Sequence, residues 1–120
     1  MIVIGIGIDA VDVGRFGDVL ARRPSVAQRL FTDAERRTAR NTRGLAARFA
    51  AKEAAMKAMG VGLGAFAFRE VEVVRDVDSG APSLAITGGA AALAGDRGIT
   101  SWRVSLTHTD LIAEAVVVAL

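Results

Sequence analysis

Asp9, Glu53, Lys57 and His108 are the residues whose types and spacing could do chemistry. Asp9 closes the run GIGIDA, an acid at the end of an apolar segment. Gly5 and Gly7 alternate with it on one side, and Ile2, Ile4, Ile6 and Ile8 occupy the other. Glycine within a strand marks a place where a ligand or another backbone comes close. The expected consequence is an open path to the Asp9 carboxylate. The run lacks the third glycine of a dinucleotide fingerprint, and no clear apolar helix is expected directly after it.

Glu53 and Lys57 lie in GLAARFAAKEAAMKAMG. Placed at about 100° per residue, Leu45, Phe49, Met56 and Met59 form one apolar stripe. Ala47, Ala50, Ala51, Ala54 and Ala58 form an opposite surface of small residues. Both sides read as buried, yet Arg48 and Lys52 flank or enter the large stripe, and Glu53 and Lys57 sit between the two surfaces. Glu53 and Lys57 are spaced to pair on a helix surface for a few tenths of a kcal/mol. A helix apolar on two sides favours another use, with Glu53 holding a cation and Lys57 an anion beside it. Mg²⁺ takes oxygen ligands, commonly one or two carboxylates together with phosphates and water. Asp9 with Glu53 would be such a pair, and Arg48 and Lys57, one turn to either side, could hold phosphates.

His108 is the sole histidine, in SLTHTD. A lone histidine is more often structural. Ser105, Thr107 and Thr109 give it polar company suited to phosphate binding or proton transfer.

The elements that must position these residues follow from periodicity and punctuation. Residues 2–9 alternate as a strand. Residues 15–22 read as a short helix that ends before Pro24, and 25–30 as another helical turn. Thr32 with Glu35 matches a capping box, so a helix starts near Asp33 and Gly44 interrupts it. Residues 45–59 are a helix with Gly60 as its C-cap, and 60–66 a glycine loop. Residues 70–75 and 83–87 form a hairpin about the turn 76–80. Residues 90–97 are a small helix closed by Gly98, and 102–107 with 112–120 a second hairpin. This order argues α+β in one domain, 1–120, with a mainly antiparallel sheet packed on a long central helix.

Composition narrows the class. The 120 residues are 52% hydrophobic and 23% charged, as in a folded globule. There is no cysteine, so neither a disulfide framework nor a thiolate metal site is available. No apolar run reaches membrane-span length. No basic region with a cleavage site opens the chain, so no signal peptide is expected, and a cytoplasmic location is the expectation. The net charge is only +2, but residues 15–48 carry nine arginines against Asp18, Asp33 and Glu35. Such asymmetry suits an acidic partner, or a solvated arginine-rich surface.

GIGIDAVDVGRF, ARFAAKEAAMKAMG and VSLTHT, in this order, resemble the holo-[acyl-carrier-protein] synthases, the short class of 4′-phosphopantetheinyl transferases. The resemblance implies transfer of the phosphopantetheine arm of coenzyme A to a serine of apo acyl carrier protein, with release of adenosine 3′,5′-bisphosphate, in fatty acid or polyketide biosynthesis. It implies Asp9 and Glu53 as Mg²⁺ ligands, Lys57 at the pyrophosphate, and Arg48 and His108 at coenzyme A phosphates, with Ser105 and Thr107 beside them. The serine's proton would go to a metal-held water relayed to Glu53, or to His108. Arg15, Arg22, Arg23 and Arg29 would dock the acidic carrier protein. The larger transferases pair two such modules in one chain, so a single module implies a homotrimer with sites between subunits. Ala81 departs from a lysine common in the family, removing one phosphate contact.

Two other classes remain. A relative could bind coenzyme A without transferring its arm. A nucleic-acid-binding module could use the arginines, though 5% aromatic content, no tyrosine and no recognisable motif argue against it.

Overall fold

The computed structural model describes residues 2–120. Strand β1 (Gly5–Asp12) runs into helices α1 (Val13–Arg22), α2 (Ser25–Leu30), α3 (Asp33–Thr38) and α4 (Thr42–Met59). A 3₁₀ turn (Phe68–Glu70) leads to β2 (Val71–Arg75) and β3 (Pro82–Ile86), then α5 (Gly88–Asp96), β4 (Trp102–His108) and β5 (Ile112–Ala119). All ladders are antiparallel: a three-stranded sheet in the order β1-β5-β4 and a separate hairpin β2-β3. The expected α+β architecture with a long central helix is the one observed.

Two expectations near the N-terminus are corrected. The first strand is 5–12, so Asp9 lies inside it, paired with Ala115, and is not its last residue. A helix does follow directly: Asp12 accepts a hydrogen bond from the Arg15 N–H at 2.8 Å and caps α1 at Val13. The chain turns from strand to helix here because a carboxylate is present to take an orphan helix donor.

The open glycine face is corrected as well. A Cβ built on Gly5 would stand 1.8 Å from the Ala58 carbonyl oxygen, and one on Gly7 1.9 Å from that of Ala54. The two glycines let the backbone of α4 lie directly on β1. The ligand-or-backbone ambiguity of a strand glycine resolves here to backbone. The isoleucines on the other side are the exposed ones: Ile6 and Ile8 keep 65% and 60% of their surface in solvent.

Helix α4 is the core of the molecule. It begins earlier than the periodicity suggests, because the Asn41 side chain accepts from the Gly44 N–H at 2.9 Å and places that glycine in the first turn. Gly60 ends it in the left-handed region, φ 71°. Ala50, Ala51, Ala54 and Ala55 are fully buried, and their small side chains bring α4 close to both β1 and β5. Met56, Met59, Val71 and Val117 fill one side of the core. Phe16, Phe31 and Leu30 fill the other, where Phe16 and Phe49 stack with centroids 5.2 Å apart.

Thr32 and Glu35 form the expected capping box. Glu35 then does more than cap. Its Oε1 also accepts from Lys52 Nζ at 2.8 Å, and its Oε2 from the Val73 N–H at 2.9 Å. Both partners of this ion pair are wholly buried.

Candidate functional site

Asp9 projects from the face of β1 that meets α4, and Glu53 and Lys57 come to it from that helix. Lys57 Nζ donates to Asp9 Oδ1 at 3.2 Å and to the Ile8 carbonyl oxygen at 2.9 Å. Asp9 is the more sheltered partner, with 20% of its side chain exposed against 54% for Lys57. Burial pushes the Glu53 carboxyl above the usual carboxylate range; the neighbouring Asp9 charge adds to the rise, and Lys57 opposes it. Two acids are therefore held against each other with one ammonium between sheet and helix. The Glu53–Lys57 pairing on a free helix surface does not describe this, because the acceptors of Lys57 are on β1.

Asp9 and Glu53 open into a cavity of about 390 Å³, whose walls include Arg15, Phe16, Val19 and Phe49. Phe16, Val19 and Phe49 make part of it apolar. Among the described residues no group of three or more His, Cys, Asp or Glu side chains gathers as a metal centre. The donor set is two carboxylates, one of them raised by burial and then by the other's charge. That suits a hard cation which takes its remaining ligands from phosphate and water, and suits a soft or imidazole-ligated metal poorly.

The arginines separate into two groups. Arg15 lines the Asp9–Glu53 cavity. Arg22, Arg23 and Arg29 surround a neighbouring groove, also of about 390 Å³, with Val19 and Val26. Helices α1 and α2 thus present a basic surface with apolar residues, continuous with the acidic cavity through Val19.

Several expected site residues are not brought to Asp9. Arg48 is 3% exposed and donates to the Gly44 carbonyl at 3.2 Å and to Thr38 Oγ1 at 3.4 Å, while its Nε has no partner among the described residues. At about 100° per residue, Arg48 is turned roughly 140° from Glu53 around α4. It flanks Lys52 and does not flank the acidic cluster. His108 ends β4, two strands away from β1, opposite Ala113. Ser105 and Thr107 alternate with it and lie on the sheet face away from α4, beside Glu114 and Val116. Strand alternation separates the hydroxyls from the imidazole, so SLTHT is not one constellation within a single chain.

Lys52 and Glu35 are what the periodicity missed. The signal for Lys52 was present, as a cation on an apolar stripe. The signal for its partner was not, because Glu35 lies on another helix and reads as an ordinary capping residue.

Comparison with known proteins follows this geometry. A sequence model of the 4′-phosphopantetheinyl transferase superfamily matches residues 5–119. The holo-[acyl-carrier-protein] synthase of Frankia casuarinae is 52% identical over 119 residues, 99% of this chain and 98% of the relative. The crystal structure of the synthase from Neisseria meningitidis superposes with a TM-score of 0.89 at 30% identity, covering 99% of each chain. That of the Helicobacter pylori synthase, in complex with coenzyme A, gives 0.86 at 27% identity, covering 96% of this chain and 99% of the other. The chain belongs to the 4′-phosphopantetheinyl transferase superfamily and, within it, to the holo-[acyl-carrier-protein] synthases.

Proposed function

We propose that this protein transfers the 4′-phosphopantetheine arm of coenzyme A to a serine of apo acyl carrier protein, with Mg²⁺ as cofactor and adenosine 3′,5′-bisphosphate as the other product. The observation that carries the reading is the convergence of Asp9, Glu53 and Lys57 beside a basic docking surface, in a chain of this family.

Asp9 and Glu53 would hold the Mg²⁺. Bound there, the ion supplies positive charge to the pyrophosphate under attack and to the phosphate that leaves. Lys57, now on Asp9 and the Ile8 carbonyl, is exposed enough to turn to a pyrophosphate oxygen. Arg15, Arg22, Arg23 and Arg29 would receive the acidic carrier protein, and Val19 and Val26 its apolar side chains. Docked there, the carrier's serine Oγ forms its bond to the phosphorus that bears pantetheine. The bond from that phosphorus to the bridging oxygen breaks, and the electron pair leaves on adenosine 3′,5′-bisphosphate. The serine proton would pass through a water to Glu53, or to His108 of another copy.

A homotrimer completes the proposal. Ile6 and Ile8 of β1, with Ile4 just before the strand and Val116 of β5 next to them, form an exposed apolar patch of the sort that marks an interaction surface. His108 lies two strands away from Asp9 in one chain and would meet the same coenzyme A from a neighbouring subunit, whereas Arg48 is buried within its own chain. A cytoplasmic location fits the absence of cysteine, and no helix among the described residues is long and apolar enough to cross a membrane.

Asp9→Ala tests the reading. It should abolish transfer to apo carrier protein while circular dichroism and elution volume stay those of the native protein. Full activity in this variant would end the assignment.

A further inference from the structure

We infer that the buried Lys52–Glu35 pair is a clamp that sets the placement of Glu53, so that Lys52 and Glu35 are positioning residues for the reaction; this rests on the reading of Asp9 and Glu53 as the cation site. Lys52 precedes Glu53 on α4, about 100° round the helix from it, and points into the interior. Its ammonium has three hydrogens, and three acceptors meet them: Glu35 Oε1 at 2.8 Å, the Phe68 carbonyl at 3.0 Å and the Val71 carbonyl at 2.5 Å. These come from α3, the 3₁₀ turn and β2. Glu35 is as fully engaged, by the Thr32 N–H at 3.0 Å, Lys52 and the Val73 N–H. Glu72 adds a second acid on the same side, accepting from Thr32 Oγ1 at 2.5 Å. One turn of α4 is thus tied at a single point to three other segments.

A cluster with this much buried charge is a poor way to gain stability alone. Desolvation offsets most of the attraction, and a neutral pair of the same volume often serves as well. What it supplies is geometry, since every donor and acceptor has one satisfied arrangement. The site needs such geometry. Two acids in a partly dry pocket repel each other, and only the scaffold keeps them adjacent. Gly5 and Gly7 fix how closely α4 approaches β1. With Ala54 and Ala58 they set its register along β1. The Lys52 contacts, on the side of α4 away from β1, add a second hold that resists its rotation. Loss of the clamp leaves α4 free to turn by fractions of an ångström, and Glu53 leaves its place opposite Asp9. A misplacement of that order is costly in catalysis.

The test is the Glu35→Gln/Lys52→Met double variant, which removes both charges together and leaves no unpaired ion. Mn²⁺ is titrated by electron paramagnetic resonance onto protein saturated with coenzyme A, and transfer kinetics are measured in parallel. The clamp predicts Mn²⁺ held at least tenfold more weakly and a fall in kcat, with native circular dichroism. Glu35→Asp, which keeps the charge and shortens its reach to Lys52, should weaken Mn²⁺ in the same direction by less and stands in if the double variant does not fold. Native Mn²⁺ affinity in a folded variant overturns the clamp and leaves the cation site standing. No Mn²⁺ bound by the native protein overturns both.

Discussion

Replacing Gly7 by alanine adds one methyl group at a point where none fits. The new Cβ would lie 1.9 Å from the Ala54 carbonyl oxygen and 2.9 Å from the Ala58 N, both backbone atoms of α4. Ordinary contact begins at 3.4 Å, so strand and helix must part by about 1.5 Å. No flexible side chain can absorb this. Overpacking of a filled core costs about 1–3 kcal/mol, and a backbone clash belongs at the upper end. For a domain of this size that lowers Tm by about 4–12 °C. The same displacement separates Asp9 on β1 from Glu53 and Lys57 on α4. Misplacement of about 1 Å can reduce turnover on the order of a hundredfold. A thermal melt followed by a transfer assay well below the lowered Tm reads both effects. A Gly7→Ala protein with native Tm and native turnover would refute the reasoning. A native Tm with only a raised KM for coenzyme A would restore the view that the glycines clear a path for ligand.

Three further outcomes are expected. Burial, and then the Asp9 charge, raise the Glu53 pKa on folding; its contribution to stability is present below its unfolded pKa and is lost as pH rises through the folded one. Cation binding needs the ionised form, so thermal stabilisation by Mg²⁺ should grow as pH rises above the ordinary carboxylate range, and a pH-independent Mg²⁺ shift would contradict this. Arg22→Glu combined with Arg29→Glu reverses charge around the groove between α1 and α2, and should raise KM for the carrier protein at least tenfold at low salt, leaving KM for coenzyme A unchanged; equal changes in both would remove the docking role. Ile6→Glu places a carboxylate on the exposed sheet face, and analytical ultracentrifugation should show smaller particles than the native protein, whereas a native mass would exclude that face from assembly.

Much of the fold was legible because it is local. Alternation, capping boxes and glycine stops are written within a few residues of where they act. Thr32 with Glu35, Gly60 after Met59 and the turn at 76–80 all stand where the sequence put them. Asp12 and Asn41 are local caps that went unread; the misreadings of the glycines and of Lys52 have another cause, a partner distant in sequence. Gly5 and Gly7 looked open because the helix backbone that fills their space is some fifty residues on. Lys52 looked anomalous because Glu35 is seventeen residues back, on another helix. The sequence put Asp9 and Glu53 together on chemical grounds, and the fold brings the two acids to one cavity. The phosphate contacts were harder to place. Arg48 was read from its place on the helix and Ser105, Thr107 and His108 from their chemistry within a few residues, with the family resemblance added to both, and one chain does not bring them together.

The central claim is a cation-dependent transfer from coenzyme A at Asp9 and Glu53. The most direct measurement is the intact mass of an apo acyl carrier protein after incubation with this protein, coenzyme A and Mg²⁺. The account predicts a gain of one phosphopantetheine arm, lost with EDTA and with Glu53→Gln. No gain with several carrier proteins despite measurable coenzyme A binding, or a gain that persists in EDTA, would contradict it.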